Sequence, residues 1–228
     1  LRPFTEAVDQ DQLSKKLSTR HFNETTVTTV ASHPEKNIIR LQLKKNEVMS
    51  ELFDGGREEL ESSLVIVDGH KGDVLLHQGV RNMEQYFILD GVLKRVVSNA
   101  QGKEMILRFA AEGDMETSYA AWRMGMPTPY GIVCVTKARV ARMPMPQWVA
   151  FLERHRPTKE WFESCVMRLM TEVMAHTITL HLLDAPGRVH RFERKRPDLV
   201  DRIPQKQLAS HLNLSPETLS RLRQSGKI

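Results

Sequence analysis

The stretch from Ile203 to Arg223, IPQKQLASHLNLSPETLSRLR, constrains this chain more than any other, because two short helices and the corner between them can be read residue by residue. Leu208 and Leu212 share one face of a first helix, and Ala209 is small enough to let a second helix cross it closely. Asn213 stands where the chain must turn, a position that calls for positive φ, and Asn tolerates this best after glycine. Leu214 fills the gap between the helices. Ser215 is placed to cap the second helix, and Pro216 takes its first position, where a missing N–H costs nothing. Leu219 and Leu222 then point back to the core, which leaves Glu217, Thr218, Ser220, Arg221 and Gln224 facing outward. This is the pattern of a helix-turn-helix. Laid in a major groove, such a second helix would let Glu217 accept from cytosine N4 and Arg221 fork onto guanine O6 and N7.

An ordinary helical hairpin within a core is the competing reading, and charge weighs against it. Residues 188–228 hold ten Lys/Arg against four acids, an excess of six where the whole chain carries +5. A basic surplus gathered at one end is the footprint of phosphate binding, although Arg191–Arg196 also reads as a solvated helix face. Double-stranded DNA is therefore the first partner to expect.

With 228 residues the chain has room for about two domains. No run approaches the ~18 apolar residues of a membrane span, and LRPFTEAVDQ lacks the apolar centre of a signal peptide, so a cytoplasmic protein without a membrane partner is expected. Cys134 and Cys165 cannot supply the four thiolates of an iron–sulfur cluster and read as buried small apolar residues. The nine histidines show no metal-ligand spacing; His77, set in an apolar strand pattern, is the least improbable ligand. No metal site and no required cofactor is expected.

From 64 to 145 the pattern changes to period two and short apolar runs. LVIV (64–67), DVLLHQ (73–78), YFIL (86–89), GVLKRVV (91–97), EMILRFA (104–110), GIVCVT (131–136) and ARVARM (138–143) read as strands separated by glycine turns, hence a double-sheet jelly roll. A long helix follows over about 158–183. Its residues Phe162, Val166, Leu169, Val173, His176, Leu180 and Leu183 alternate by four and three, a seam suited to a second copy of the same helix. A second stripe, Cys165, Met170, Met174 and Ile178, would face the β-roll. A helix buried wholly in its own monomer is the alternative. Asp184-Ala-Pro-Gly187 reads as a hinge, and 188–202 as a helix leading into the helix-turn-helix. Residues 46–62 look helical, and 1–48 look like an extension of unreadable role, with Leu13, Leu17, Ile38, Ile39, Leu41 and Leu43 suited to short helices.

The expected fold class is thus α+β: an N-terminal β-roll (49–157), a dimerisation helix (158–184) and a C-terminal winged-helix-like helix-turn-helix (185–228) with a short or absent wing. In that order the chain resembles the Crp/Fnr family of transcription regulators. The resemblance covers about residues 60–225 and rests on KGDVLLHQG (71–79), YFILDGVLK (86–94), GKEMILRF (102–109), EGD (112–114) and PETLSR (216–221), the last similar to an E-x-x-S-R recognition signature. It implies a homodimeric, non-enzymatic regulator with an allosteric β-roll, a palindromic site with TTGA-like half-sites, and RNA polymerase as a further partner. Glu217, Ser220 and Arg221 would read bases, and Gln205, Lys206, Ser215, Thr218 and Arg223 complete the DNA-contacting set. The implied effector site comprises Gly113, Asp114, Ser118, Tyr119, Arg123 and Thr128.

Two departures from the family pattern matter. Ser118 stands where cyclic-AMP binders carry the ribose-binding Glu, and Thr128-Pro129 where they carry the phosphate-binding Arg-Ser. A cyclic phosphate would lose its bidentate guanidinium, so an effector other than cyclic AMP is expected. Only seven residues follow Arg221, so wing contacts to DNA are not expected. Three rival readings remain: a constitutive DNA binder with an empty β-roll, a cupin-like metal enzyme fused to a DNA-binding tail, and a ligand-binding module whose helix-turn-helix makes only protein contacts.

Overall fold

The computed structural model describes residues 28–52 and 54–228, with backbone alone for 54 and 55. The expectations for Leu13 and Leu17 lie outside the described residues. Three helices, α1 (Lys36–Leu43), α2 (Glu47–Ser50) and α3 (Asp54–Ser63), precede eight strands: β1 (Val65–Gly69), β2 (Val74–Leu76), β3 (Glu84–Asp90), β4 (Leu93–Ser98), β5 (Glu104–Ala110), β6 (Met115–Thr117), β7 (Gly131–Cys134) and β8 (Ala138–Pro144). A short helix α4 (Tyr119–Arg123) interrupts them. Helices α5 (Met145–Arg154), α6 (Arg156–Leu182), α7 (Ala185–Lys195), α8 (Gln205–His211) and α9 (Pro216–Gln224) complete the chain.

The strands form two antiparallel four-stranded sheets, in the orders β1-β8-β3-β6 and β2-β7-β4-β5. Period-two alternation sorts their side chains. Tyr86 and Ile88 of β3 enter the space between the sheets with Leu93, Ile132 and Val140, whereas Phe87 and Leu89 face the helices. Both faces of β3 are covered, which is why YFIL reads as a continuous apolar run. The β3–β4 turn needs Gly91: its φ is 90°, and a Cβ there would stand 2.3 Å from the carbonyl oxygen of Lys137.

On the helical side Trp148 is fully buried, 5.4 Å from Phe87 and 5.2 Å from Phe162 between ring centroids. Ile39, Leu43 and Val48 belong to the same cluster. The stretch before residue 49 is therefore no loose extension over 28–48: it packs into the core, and Thr29 bridges to Val65. Helix α5, not anticipated from its mixed apolar pattern, supplies Trp148 and Phe151 to this layer.

A bulge in β5 builds the other core. Arg95 pairs with Arg108 but Val96 pairs with Ile106, so Leu107 is the extra residue. The slip brings Ile106 and Phe109 together in one cluster with Val189, Phe192, Leu208 and Leu212 of the C-terminal helices. The helix-turn-helix is thus docked on the β-roll of its own chain through a shared apolar core.

The expected hinge is differently built. Asp184 caps α7 by accepting from the Gly187 backbone N–H at 3.0 Å, so Ala185, Pro186 and Gly187 form the first helical turn. Only the extended residues Leu183 and Asp184 break the path between α6 and α7, and α7 ends at Lys195 rather than continuing to 202.

Candidate functional site

The helix-turn-helix closes as its side chains require. Asn213 has φ 52°, and among the described residues it alone takes positive φ without being glycine. Ser215 Oγ accepts from the Thr218 backbone N–H at 3.1 Å, with Pro216 in the first turn of α9. Leu208, Ala209, Leu212, Leu219 and Leu222 are buried. Glu217, Ser220, Arg221 and Gln224 stand exposed on α9, Gln205 and Lys206 are exposed at the start of α8, and Thr218 and Arg223 are half-buried. Glu217 is held below the ordinary carboxylate range by its backbone N–H and the Ser215 hydroxyl, so it stays a charged acceptor at neutral pH.

The expected effector residues fall into three places. Ser118 and Thr128 do meet: their hydroxyls are 3.2 Å apart and both side chains are buried. Gly113 and Asp114 instead form a turn, in which Asp114 accepts from the Ala111 backbone N–H and the Gly113 carbonyl accepts from Asn46. Tyr119 donates to Glu163 of α6 and packs its ring on Phe162, and the Arg123 guanidinium lies 6.0 Å from the Tyr119 ring centroid. Those two residues face the long helix rather than the Ser118–Thr128 pair.

Beside Ser118 and Thr128 lie charges that the pattern reading missed. Arg95 donates to Glu116 at 2.9 Å, and its guanidinium sits 4.2 Å over the Tyr130 ring. Arg108 approaches Glu116 at 3.3 Å and Asp114 at 3.7 Å, and Tyr130 donates to the Thr117 carbonyl at 2.6 Å. Burial works against the Arg95 charge, yet Glu116 and Tyr130 hold it above its ordinary value. The roll interior is occupied by its own ion cluster. Arg95 and Arg108 were legible as cations inside the apolar runs GVLKRVV and EMILRFA; alternation along β4 turns Arg95 inward with Leu93, but only the β5 bulge brings Arg108 in opposite it.

Helix α6 reverses the expected faces. Phe162, Cys165 and Val166 are buried against the β-roll, and Leu169 packs on the same core. Farther along, Val173 and His176 border the docked helix-turn-helix, and the His176 ring nitrogen Nε2 lies 3.0 Å from the His211 carbonyl oxygen. Leu180 is half-buried and Leu183 exposed. The stripe assigned to the roll turns outward except for Cys165: Met170, Met174 and Ile178 are exposed, with Met167 and Leu182 beside them. A seam chosen by heptad spacing alone cannot tell which of two apolar stripes the monomer consumes, and the aromatic-rich one was drawn in.

The junction between roll and helix-turn-helix is specific. Arg202, which precedes the helix-turn-helix, donates to both oxygens of Glu112, at 2.8 and 2.6 Å. The His176 and His211 rings stack at 3.9 Å, and His211 Nδ1 lies 3.0 Å from the Ile106 carbonyl oxygen. Burial, His176 and nearby Arg196 lower His211 to about 3, so it is neutral. Both cysteines are buried, and burial pushes the Cys134 thiol up to about 12. His77 is exposed past the end of β2 rather than set in a strand. Among the described residues no three His, Cys, Asp or Glu side chains converge as metal ligands, and no helix is long and apolar enough to cross a membrane.

Residues 67–155, from within β1 to the end of α5, match the family model of the cyclic nucleotide-binding domain. Over 72–80% of its length the chain shares the fold of solved Crp/Fnr regulators. The c-di-GMP-responsive global regulator CLP of Xanthomonas campestris superposes with a TM-score of 0.63 at 12% identity, over 76% of this chain and 92% of its own. FixK2 of Bradyrhizobium japonicum gives 0.62 at 15%, over 72% and 86%. A protein of Eubacterium rectale assigned to the Crp/Fnr family gives 0.63 at 14%, over 80% and 87%. No curated protein matches by sequence. The Crp/Fnr fold thus persists here at identities that carry architecture alone.

Proposed function

We propose that this chain is a homodimeric, sequence-specific DNA-binding transcription regulator rather than an enzyme. The observation that carries the reading is α9 itself: a capped helix behind an αL corner, with Glu217, Ser220 and Arg221 exposed on the face a major groove would meet. The DNA would be palindromic, with TTGA-like half-sites read by these three residues, while Lys206 and Arg223 contact phosphate and Gln205, Ser215 and Thr218 lie alongside. RNA polymerase is the further partner such a regulator meets.

Dimerisation would use the outward stripe Met167, Met170, Met174, Ile178 and Leu182, which follows helical spacing along one exposed face of α6. This replaces the seam expected from sequence. Two reading helices related by that axis would have to stand ~34 Å apart to enter successive major grooves.

Effector gating through the 112–130 loop is the second part of the reading. The Ser118–Thr128 contact and the Arg95–Glu116 pair fill the space beneath that loop, which favours a roll that does not take cyclic AMP. On this reading either a different effector must displace the pair, or the roll acts constitutively as a scaffold.

Selection of duplexes from a random pool at a stated salt concentration tests the DNA reading. Arg221→Ala is expected to relax preference at one base pair per half-site and to cost on the order of 1–3 kcal/mol per contact. Lys206→Ala should weaken all sequences alike and flatten the salt dependence. Equal losses on cognate and random DNA for Arg221→Ala would remove it from the base readers.

A further inference from the structure

The docked arrangement leaves a half-open cavity of about 430 Å³ between β5, the C-terminal half of α6, α7 and α8. It lies outside the Ser118–Thr128 region of the roll. Its apolar part is lined by Phe109, Phe192, Leu199 and Leu212 beside the neutral His176–His211 stack. Its size falls within the range of small-molecule sites, and so does its mixture of apolar lining with a few polar groups.

The charges of its wall are unbalanced. Arg108, Arg188, Arg191, Lys195 and Arg196 line it against two carboxylates, Asp114 and Glu172. Asp114 is already shared between Arg108 at 3.7 Å and Arg196 at 3.4 Å. Arg188, Arg191 and Lys195 lie at i, i+3 and i+7 on one face of α7, and among the described residues none of them forms an ion pair. Among the described residues Arg188 donates to the carbonyls of Leu183, Leu212 and Asn213. Glu172, the other carboxylate of the wall, forms no ion pair among the described residues, so the three cations outnumber the one carboxylate left to them. Uncompensated cations on a partly desolvated wall favour an anion, and guanidinium forks favour phosphoryl oxygens.

We propose that this junction cavity binds a small phosphorylated metabolite, its phosphates held by Arg188, Arg191 and Lys195 and its body against Phe109 and Phe192. Such a ligand touches α6 and β5 on one side and α7 and α8 on the other, so it would tie the reading domain to the roll. By linkage, a ligand that prefers the docked arrangement shifts its population. The site is placed by the cavity and does not depend on α9 reading DNA. Phosphate could also arrive as DNA backbone, but Glu172 and Asp114 in the wall oppose the approach of a continuous polyanion.

The full chain is titrated with pyrophosphate, with adenosine 5′-diphosphate and with a random-sequence duplex, by calorimetry and by NMR of the histidine imidazoles. Saturable binding of at least one small probe below ~1 mM is expected, together with perturbation of His176 and His211. His176 is held below its ordinary value by burial and by Arg191 and Lys195, so an anion beside these cations should raise its titration midpoint. Arg191→Gln with Lys195→Gln should weaken the small probe ~10-fold or more while leaving thermal unfolding unchanged, since both side chains are at least partly solvent-exposed. The proposal is overturned if neither small probe moves His176, or if the double variant binds them as the parent does. It is equally overturned if the substitutions weaken only the duplex, which would assign these cations to DNA.

Discussion

Both faces of α6 carry apolar side chains, and the fold treats them differently. The inner face, Phe162, Cys165 and Val166, is closed off by Trp148, Tyr119 and the N-terminal helices, with aromatic rings in edge contact at 5.1 to 5.2 Å. The outer face, Met167, Met170, Met174 and Ile178, is built mostly from unbranched thioether side chains and stands exposed among the described residues. Rigid rings suit a site whose shape is set once, in a single chain. Methionine suits a surface that adapts to a partner, as the proposed dimer would require. The lesson is that heptad periodicity locates the apolar stripes of a helix, whereas shape and rigidity decide which one the monomer keeps.

The sharpest way to break this contrast is Phe162→Ala. It empties a fully buried position between Tyr119 and Trp148 and should cost about 3–5 kcal/mol of stability in denaturant unfolding. A loss no larger than that of an exposed residue would mean that the inner face is not the core.

An intermediate effect is expected where the C-terminal half of α6 meets the helix-turn-helix. His211 is folded far below its ordinary 6.5, so the neutral ring is the form that the fold retains. The stabilisation this gives is complete above 6.5 and drains away as pH falls from 6.5 toward about 3, at roughly 1.4 kcal/mol per unit. Acidification from pH 7 to 5 should therefore cost about 2 kcal/mol, with release of the helix-turn-helix from β5. His176 and Arg196 oppose its protonation, the Ile106 carbonyl favours it, and burial outweighs that carbonyl. The Glu112–Arg202 pair, whose carboxyl is lowered from 4.5, should persist until still lower pH. Hydrogen exchange across 205–211 checks this, and His211→Gln should flatten the slope. Protection unchanged between pH 7 and 5 would contradict it.

The smallest effect on the fold belongs to the outer face. Met174→Glu should change unfolding of the isolated monomer by no more than ~0.5 kcal/mol, because the side chain is 64% exposed. The same substitution should convert a dimer to monomer in sedimentation. A dimer that survives Met170→Glu with Met174→Glu would move the interface elsewhere.

Much of the architecture was legible from local chemistry. The αL corner at Asn213, the Ser215 cap, the glycine turns and the period-two strands each follow from the conformational preferences of a few neighbouring residues. Strand ends came within a few residues, while β6 and α5 escaped notice: the first is three residues long and the second lacks a capping side chain. The effector residues were less legible, because alignment along the chain placed Gly113, Tyr119 and Arg123 beside Ser118 and Thr128, and three-dimensional packing sent them elsewhere.

Local sequence was enough for the identity and order of the pieces: a roll, a long helix and a helix-turn-helix whose exposed residues are polar. Those features depend on backbone preference and hydrophobic period, which act over a few residues. Tertiary structure alone decided which stripe of α6 is hidden, that one bulged residue in β5 turns Arg108 inward and Phe109 toward the helix-turn-helix, and that roll and helix-turn-helix share a core. Such outcomes come from competition for burial between surfaces as far apart in the chain as Ile106 and His211, and no short-range pattern records which contact wins.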